Sequence, residues 1–558
     1  MSSDHTEDSS LPTALHENAT NEDIDALVKI VKTQSLVDDV IDGVYMGLLT
    51  ISLLFILFVT AIGPQLGDLF PILQPVFLLF SHIVPFFKNI PSYVSSAPEC
   101  FTTLISNLPT TLVEYQSLYY SFAQAFRTYL TILPYKQLIL LFSWGAYLWD
   151  AYLDVRQRDM LHGVIRPSPI RSIVTRKAFL EANSYGLDKS SLKMVQSLLE
   201  QIKTTLVLYY DILPAFWNLV GEFMQSRLGF GPEHEITHSI LFFIATSLVN
   251  SITSIPFDLY GTFVVEQKHG FNKQTVGLYI ADFFKTLALT ASFGSLILAG
   301  LLYTITKTGE NFYLYVMIFM MVIQLIGITI FPTLIQPLFN KFTPLEDGEL
   351  KTSIENLAAR LEFPLKKLYV VDGSKRSGHS NAYMYGFFKN KRIVLYDTLL
   401  KQTSIEEVCA ILAHELGHWK MNHVIKMLFI SQIQIFVIFY LFSLVIVQKK
   451  LYTDFGFTSM PIFVGFMLYQ YLYQPVDSVV TYYFNKLSRK HEFEADAFSN
   501  SLGYHEQLKQ GLIKIHLENK GNLNPDSLYS AYHYSHPPLV ERLNALDRPA
   551  TPYHSKSD

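Results

Sequence analysis

Uncharged apolar runs of bilayer length recur along this chain, and a run that crosses lipid must satisfy its backbone polar groups internally, as a helix does. The runs are Tyr45–Gly63, Leu69–Phe87, Gln137–Trp149 with Tyr129–Tyr135 ahead of it, residues 236–257, 286–306 and 312–336, then Met427–Gln448 and Phe455–Val476. A weaker run at 206–224 contains Asp211, and Pro71, Pro75, Pro85 and His82 make Leu69–Phe87 a kinked or re-entrant segment. With half the residues hydrophobic, 14% aromatic and a positive mean hydropathy, the pattern predicts a mainly α, polytopic membrane protein whose first partner is the lipid bilayer. The net charge of −5, with no basic stripe interleaved with aromatics, excludes a nucleic-acid partner. Two cysteines, Cys100 and Cys409, provide neither a disulfide framework nor a C-x-x-C metal site.

The runs divide the chain. Residues 1–43 carry ten acids against two lysines and no apolar period, the composition of a disordered tail. Residues 44–128 form an N-terminal extension with one or two membrane segments. Residues 129–339 hold transmembrane helices, interrupted at 150–203 by an arginine-rich polar connection. Residues 340–423 have the composition of a soluble α/β unit: an amphipathic helix over Leu350–Leu361, a strand over Lys367–Val371, and a hairpin of Ala382–Tyr385 with Arg392–Tyr396 around Lys389-Asn390. Two membrane helices are expected at 424–485, a further helix and the end of the soluble part at 486–548, and a short tail at 549–558.

One motif prescribes chemistry. In Ala413-His414-Glu415-Leu416-Gly417-His418-Trp419 the two histidines stand four apart, on one helix face, so both imidazoles can reach one metal ion. Glu415, a quarter turn round, is placed to act as a base on water. Ser404 with Glu407 three residues later is a capping box, so the motif lies on a helix. A third ligand is needed, and Ser488–Asp496 offers Glu492 and Asp496 four apart, one to bind metal and one to orient a ligand histidine. The metzincin pattern fails, because its glycine and third histidine would fall at Met421 and Val424. Two membrane runs separate the histidine helix from the glutamate helix, so both return to one side and can meet close to the bilayer.

At these residues the chain resembles the integral-membrane zinc CAAX prenyl proteases. The likeness is carried by Val265–Lys273, Pro337–Leu345, Asp372–Ser377, His379–Tyr383, Ala413–Trp419, Ser488–Asp496 and His533–Pro538, and reaches from about residue 137 to 548. It implies a barrel of about seven transmembrane helices around a chamber, capped by a zincin-like α/β domain, with extra apolar segments at this chain's N-terminus. It implies one Zn2+ per chain held by His414, His418 and Glu492, Glu415 as the general base, Asp496 behind the ligands, His536 facing the active site, and substrate laid along Asn381, Ala382 and Tyr383. The implied activity is a zinc metalloendopeptidase that removes the C-terminal aaX tripeptide from farnesylated CAAX proteins, with a further upstream cut in some substrates. The implied location is the endoplasmic reticulum membrane, with the inner nuclear membrane as a second site.

Chemistry gives each residue a reason. A histidine such as His536 can donate to the oxyanion of a tetrahedral intermediate, and an open strand edge at Asn381 can pair with an extended peptide whatever its sequence. His423 and His491 are read as structural or solvated. A site-2-type protease would carry H-E-x-x-H inside an apolar run, and here polar residues precede it. A membrane quality-control zinc protease with broader substrates is the alternative, sharing the ligands but not the dispersed stretches.

Overall fold

The structure is a computed structural model, and it describes residues 130–163, 165–386 and 391–547. The expected tails at 1–43 and 549–558, the segments Tyr45–Gly63 and Leu69–Phe87, and the Lys389-Asn390 turn lie outside the described residues.

The helices before the soluble part are α1 (Tyr135–Leu161), α2 (Arg176–Tyr209), α3 (Ile212–Phe223), α4 (Glu235–Tyr260), α5 (Val276–Leu289), α6 (Ser295–Thr308) and α7 (Phe312–Ile330). Then come β1 (Phe342–Pro344), α8 (Glu349–Arg360), β2 (Leu365–Val371), β3 (Ala382–Tyr385), β4 (Lys391–Tyr396), α9 (Asp397–Gln402) and the motif helix α10 (Ile405–Lys420). The chain closes with α11 (His423–Val445), α12 (Lys449–Thr453), α13 (Ile462–Ser501), α14 (His505–Glu518), α15 (Ser527–His533) and α16 (Leu539–Leu546).

Three described stretches are long and apolar enough to cross a membrane: Glu235–Glu266, Val276–Leu338 and His423–Val445. The second is a hairpin rather than a rod, because Gly309, at φ 66°, turns the chain between α6 and α7, which pack on each other. In that stretch only 6% of the most apolar window is buried. Leu296, Tyr303, Phe331, Ile425 and Phe429 stand exposed on these helices, an apolar surface suited to lipid rather than water. Inside the bundle, Ile139, Trp217, Phe242, Phe312, Phe442 and Leu468 form one buried cluster.

Three expectations need correcting. The polar connection at 150–203 is largely helix: α1 runs on to Leu161, and α2 is a 34-residue helix, about 51 Å long, that packs along α1. Its many charges hid a helix whose few buried apolar residues are shared among three clusters, Phe179 and Ala182 in one, Tyr185 in a second and Leu208 in the core of the bundle. The weak run at 206–224 is split at Asp211, which takes a left-handed φ of 55° and pairs with Lys136 at 2.8 Å. Finally, Phe455–Val476 and the glutamate-bearing helix are not separate elements. From Ile462 onward they fuse into α13, a continuous 40-residue helix that runs through Pro475.

The soluble part is a four-stranded sheet in the order β1-β2-β4-β3, with β2 parallel to β4 and the other pairs antiparallel. The expected β3–β4 pairing is present, with Ala382 opposite Leu395 and Tyr385 opposite Arg392. β3 is an edge strand and packs beside α10. Ile354 and Leu357 of α8, Leu368, Ile393 and Leu395 of the sheet, and Val408, Leu412 and Leu416 of α10 form a second core, closed by Phe498 of α13.

Candidate metal centre and active site

Helix α10 begins where its sequence says it should. Ser404 Oγ accepts from Glu407 N at 3.3 Å, Glu407 Oε2 accepts from Ser404 N at 2.8 Å, and Lys514 anchors the same carboxylate at 2.6 Å. Val408, Leu412 and Leu416, one turn apart, bury the core face and so fix the rotation that turns His414 and His418 toward α13. On α13, Glu492, Ala495, Asp496 and Ser499 recur at helical spacing on the facing side, and Ser499 Oγ donates to Ala410 O at 2.9 Å. The glycine of the motif is what lets the helices meet. A Cβ on Gly417 would lie 3.1 Å from the Phe498 ring, 3.2 Å from its Cβ and 3.3 Å from Ala495 Cα. Gly417→Val should therefore force the helices apart and cost about 1–3 kcal/mol, read as a lower Tm together with reduced zinc content. A Tm and zinc content equal to the unaltered protein's would show that the helix contact tolerates bulk.

The three expected ligands converge. His414 Nε2 lies 3.2 Å from His418 Nε2 and 3.5 Å from Glu492 Oε2, and His418 Nε2 lies 3.3 Å from Glu492 Oε1. A tetrahedral ion with bonds of about 2.0–2.1 Å keeps its ligand atoms about 3.3 Å apart, so the triangle has the size of a zinc site. The donors are also of the kind that calls for a cation. His414 Nδ1 is 2.8 Å from Asp496 Oδ1, which uses its N–H and leaves the Nε2 lone pair facing a carboxylate. Glu492 Oε2 is buried without a hydrogen-bond partner. Burial would depress the His414 imidazole, but the neighbouring Asp496 and Glu492 carboxylates outweigh it and raise it to about 9. Glu492 and Asp496 are held below the usual carboxylate range despite burial, Glu492 chiefly by the two histidines and Asp496 by Arg542 and His414. Positive charge is what this cluster attracts.

Glu415 sits half-buried one residue on from His414, close enough to bear on Arg542 electrostatically. His536 Nε2 lies 3.3 Å from Glu492 Oε1, and the side chain is 66% exposed, so it reaches the ligand cluster from the solvent side. Helix α13 holds this segment in place, with Asn485 Nδ2 donating to Tyr532 O at 2.6 Å and Arg489 donating to Tyr534 O at 2.5 Å. Asn381 is exposed at the start of β3, where its side chain accepts from Ala382 N at 2.8 Å, Ala382 is buried, and Tyr383 Oη donates to Gln336 at 2.7 Å. The strand edge is thereby tied to the end of a membrane stretch.

Two features escaped the sequence. Arg542 of α16 makes a bidentate pair with Asp496, at 2.8 and 2.6 Å, and lies 3.6 Å from Glu492 Oε2. It follows His536 by six residues in an ordinary amphipathic helix, and nothing in that spacing marks it. His423, read from the sequence as structural or solvated, is 3% exposed and lies 3.0 Å from His418 through the two Nδ1 atoms, with Glu494 2.9 Å from its other nitrogen. His491 stacks on it at 4.0 Å, and burial beside that ring pushes His491 down to about 4. The stretches outside the metal centre clasp the membrane helices to the soluble part. Gly378 N donates to Phe271 O at 3.0 Å, Arg376 pairs with Asp282 at 2.7 Å, and His379 Nε2 lies 3.5 Å from Glu266 Oε2.

Comparison with known proteins accords with this arrangement. The family model described as CAAX prenyl protease N-terminal, five membrane helices, matches residues 157–341, and that of Peptidase family M48 matches residues 344–550. A CAAX prenyl protease 1 homolog of Oryza sativa is 45% identical over 416 residues, covering 74% of this chain and 98% of its own. The chain belongs to the CAAX prenyl proteases of peptidase family M48. The human CAAX prenyl protease 1 homolog is 41% identical over 448 residues, with 73% of this chain and 94% of its own covered. A crystal structure of S. mikatae Ste24p superposes with a TM-score of 0.71 at 39% identity, covering 75% of this chain and 100% of that one. Membership makes this a multi-pass membrane protein with a metallopeptidase domain, and the His/Glu cluster is where its metal can bind.

Proposed function

We propose that this chain is a zinc metalloendopeptidase of the endoplasmic reticulum membrane that removes the aaX tripeptide from farnesylated CAAX proteins, its membrane helices forming a seven-helix barrel around a chamber. The observation that carries the reading is the triangle of His414, His418 and Glu492, built where α10 leads into a membrane helix after two residues and α13 arrives from another apolar run. His414, His418 and Glu492 would hold one Zn2+, which when bound would serve as a Lewis acid toward the scissile carbonyl and lower the pKa of water to near 7. Glu415 takes the water proton and passes it to the leaving amine. His536 donates to the oxyanion from the open side of the cluster. Asp496 holds the His414 N–H and so keeps its Nε2 for the metal. The free edge of β3 at Asn381, Ala382 and Tyr383 binds the peptide as an added strand, which gives register without demanding a sequence.

The broader quality-control reading is disfavoured, because the chain matches CAAX prenyl protease relatives over nearly their whole length. The farnesyl group separates the two readings. Burying half of its fifteen carbons contributes about 6 kcal/mol at about 0.8 kcal/mol per methylene. If the tail also holds the peptide in register, kcat rises as well as KM falling. Steady-state cleavage of one CAAX peptide with and without its farnesyl group should show a kcat/KM at least 10²-fold higher for the lipidated form, with aaX found by mass as the released product. Equal constants for both peptides would mean that the enzyme does not read the lipid.

A further inference from the structure

The two metal-binding histidines are supported differently. A ligand imidazole holds its orientation when its second N–H is bonded, by a carboxylate or a carbonyl in most sites. Asp496 does this for His414 directly. The carboxylate available to His418 is one residue removed: His418 Nδ1 lies 3.0 Å from His423 Nδ1, and His423 Nε2 lies 2.9 Å from Glu494 Oε2. From this we infer that Glu494 and His423 form a relay that positions His418 for the metal. The inference rests on His418 being a ligand through Nε2, as proposed above.

Only one placement of protons satisfies the chain. If His418 gives its Nε2 lone pair to the metal, its Nδ1 carries hydrogen and donates to His423. His423 then accepts at Nδ1, carries hydrogen on Nε2, and donates it to Glu494. The opposite tautomer of His423 would turn an N–H toward an N–H on one side and a lone pair toward a carboxylate on the other. Backbone geometry sets the relay up. Asn422 adopts a left-handed φ of 57°, turning the chain between α10 and α11 so that His423, the first residue of α11, folds back onto the motif helix. Glu494 comes from α13, two residues beyond the ligand Glu492.

A second metal ion is the competing use of these residues, since donor atoms of His423, His491 and Glu494 lie within 4.8 Å of one another. The ring planes speak against it. A metal lies close to the plane of each imidazole that binds it, whereas the His423 and His491 rings are parallel to within 8° and stacked at 4.0 Å, so no point within bonding distance of both rings lies in both planes. His491 serves as a flat wall that keeps the His423 ring from rotating.

The test is the zinc affinity of the full chain in detergent, measured by competition with a chelator. His423→Ala should weaken zinc binding about 10–100-fold. Glu494→Gln should weaken it by a smaller factor, because the amide still accepts a hydrogen bond without its charge. His423→Asn, whose Oδ1 can stand where Nδ1 does, should recover part of the loss. The Tm of the zinc-stripped proteins should match that of the zinc-stripped parent, which a merely structural role would not allow. If His423→Ala fails to fold, Glu494→Gln decides. Zinc affinity within twofold of the unaltered protein in every folded variant would overturn the relay. Two zinc ions per chain, one of them lost in His423→Ala, would overturn it in favour of a second metal site. Full zinc affinity in His418→Ala would overturn the ligand assignment itself, and the relay with it.

Discussion

Glu415→Gln should lose peptide hydrolysis by about 10²–10⁴-fold, the usual contribution of a positioned general base, while zinc content and Tm stay at the level of the unaltered protein. Glutamine keeps the size and the helix but cannot take a proton, and Glu415 is not one of the three converging atoms. His414→Ala, His418→Ala and Glu492→Ala should lose activity by a different route. Each removes one of three protein ligands, so zinc measured by metal analysis should fall with activity, and excess zinc should restore part of both. Zinc loss in Glu415→Gln, or full zinc in Glu492→Ala, would reverse the assignment of roles.

The second large effect is expected at Arg542. Its guanidinium neutralises Asp496 through two bonds and borders Glu492, with only 12% of the side chain exposed. Arg542→Met leaves two buried carboxylates short of positive charge, a change that costs about 3–5 kcal/mol when one partner of a buried pair is removed. The loss should be larger in zinc-stripped protein, where no second cation shares the load, than in the zinc-loaded form. Arg542→Lys should restore little, because one ammonium cannot make the planar two-bond contact. Thermal unfolding of both variants with and without chelator checks this. Equal Tm values for Arg542→Met and its parent in the zinc-stripped state would mean that Arg542 is not what compensates those carboxylates.

The candidate metal centre was legible because two of its proposed ligands lie on one helix, where spacing of four is a statement about space. The capping box placed the start of α10, and the structure has both of its bonds. Glu492 was legible for a weaker reason, its stacking one turn before Asp496, and across the facing sides of α10 and α13 its two carboxylate oxygens lie 3.5 Å from His414 and 3.3 Å from His418. Local periodicity likewise located α8, β2 and the β3–β4 pair, since each buries one face on the same core.

What the sequence determined by itself was therefore membrane-length apolar helices, a soluble part between them, and a histidine pair with a base beside it. These are patterns whose physics is complete within one or two turns of chain. The tertiary structure decided what depends on two distant segments meeting. Only packing at Gly417 brings Glu492 to the histidines. Only α16 folding back brings Arg542 to Asp496, 46 positions away in sequence. Only the left-handed Asn422 converts His423 from a residue at the foot of a membrane helix into a neighbour of His418. Charges are paired across space, and a charged residue in an amphipathic helix carries no local sign of the partner it will meet.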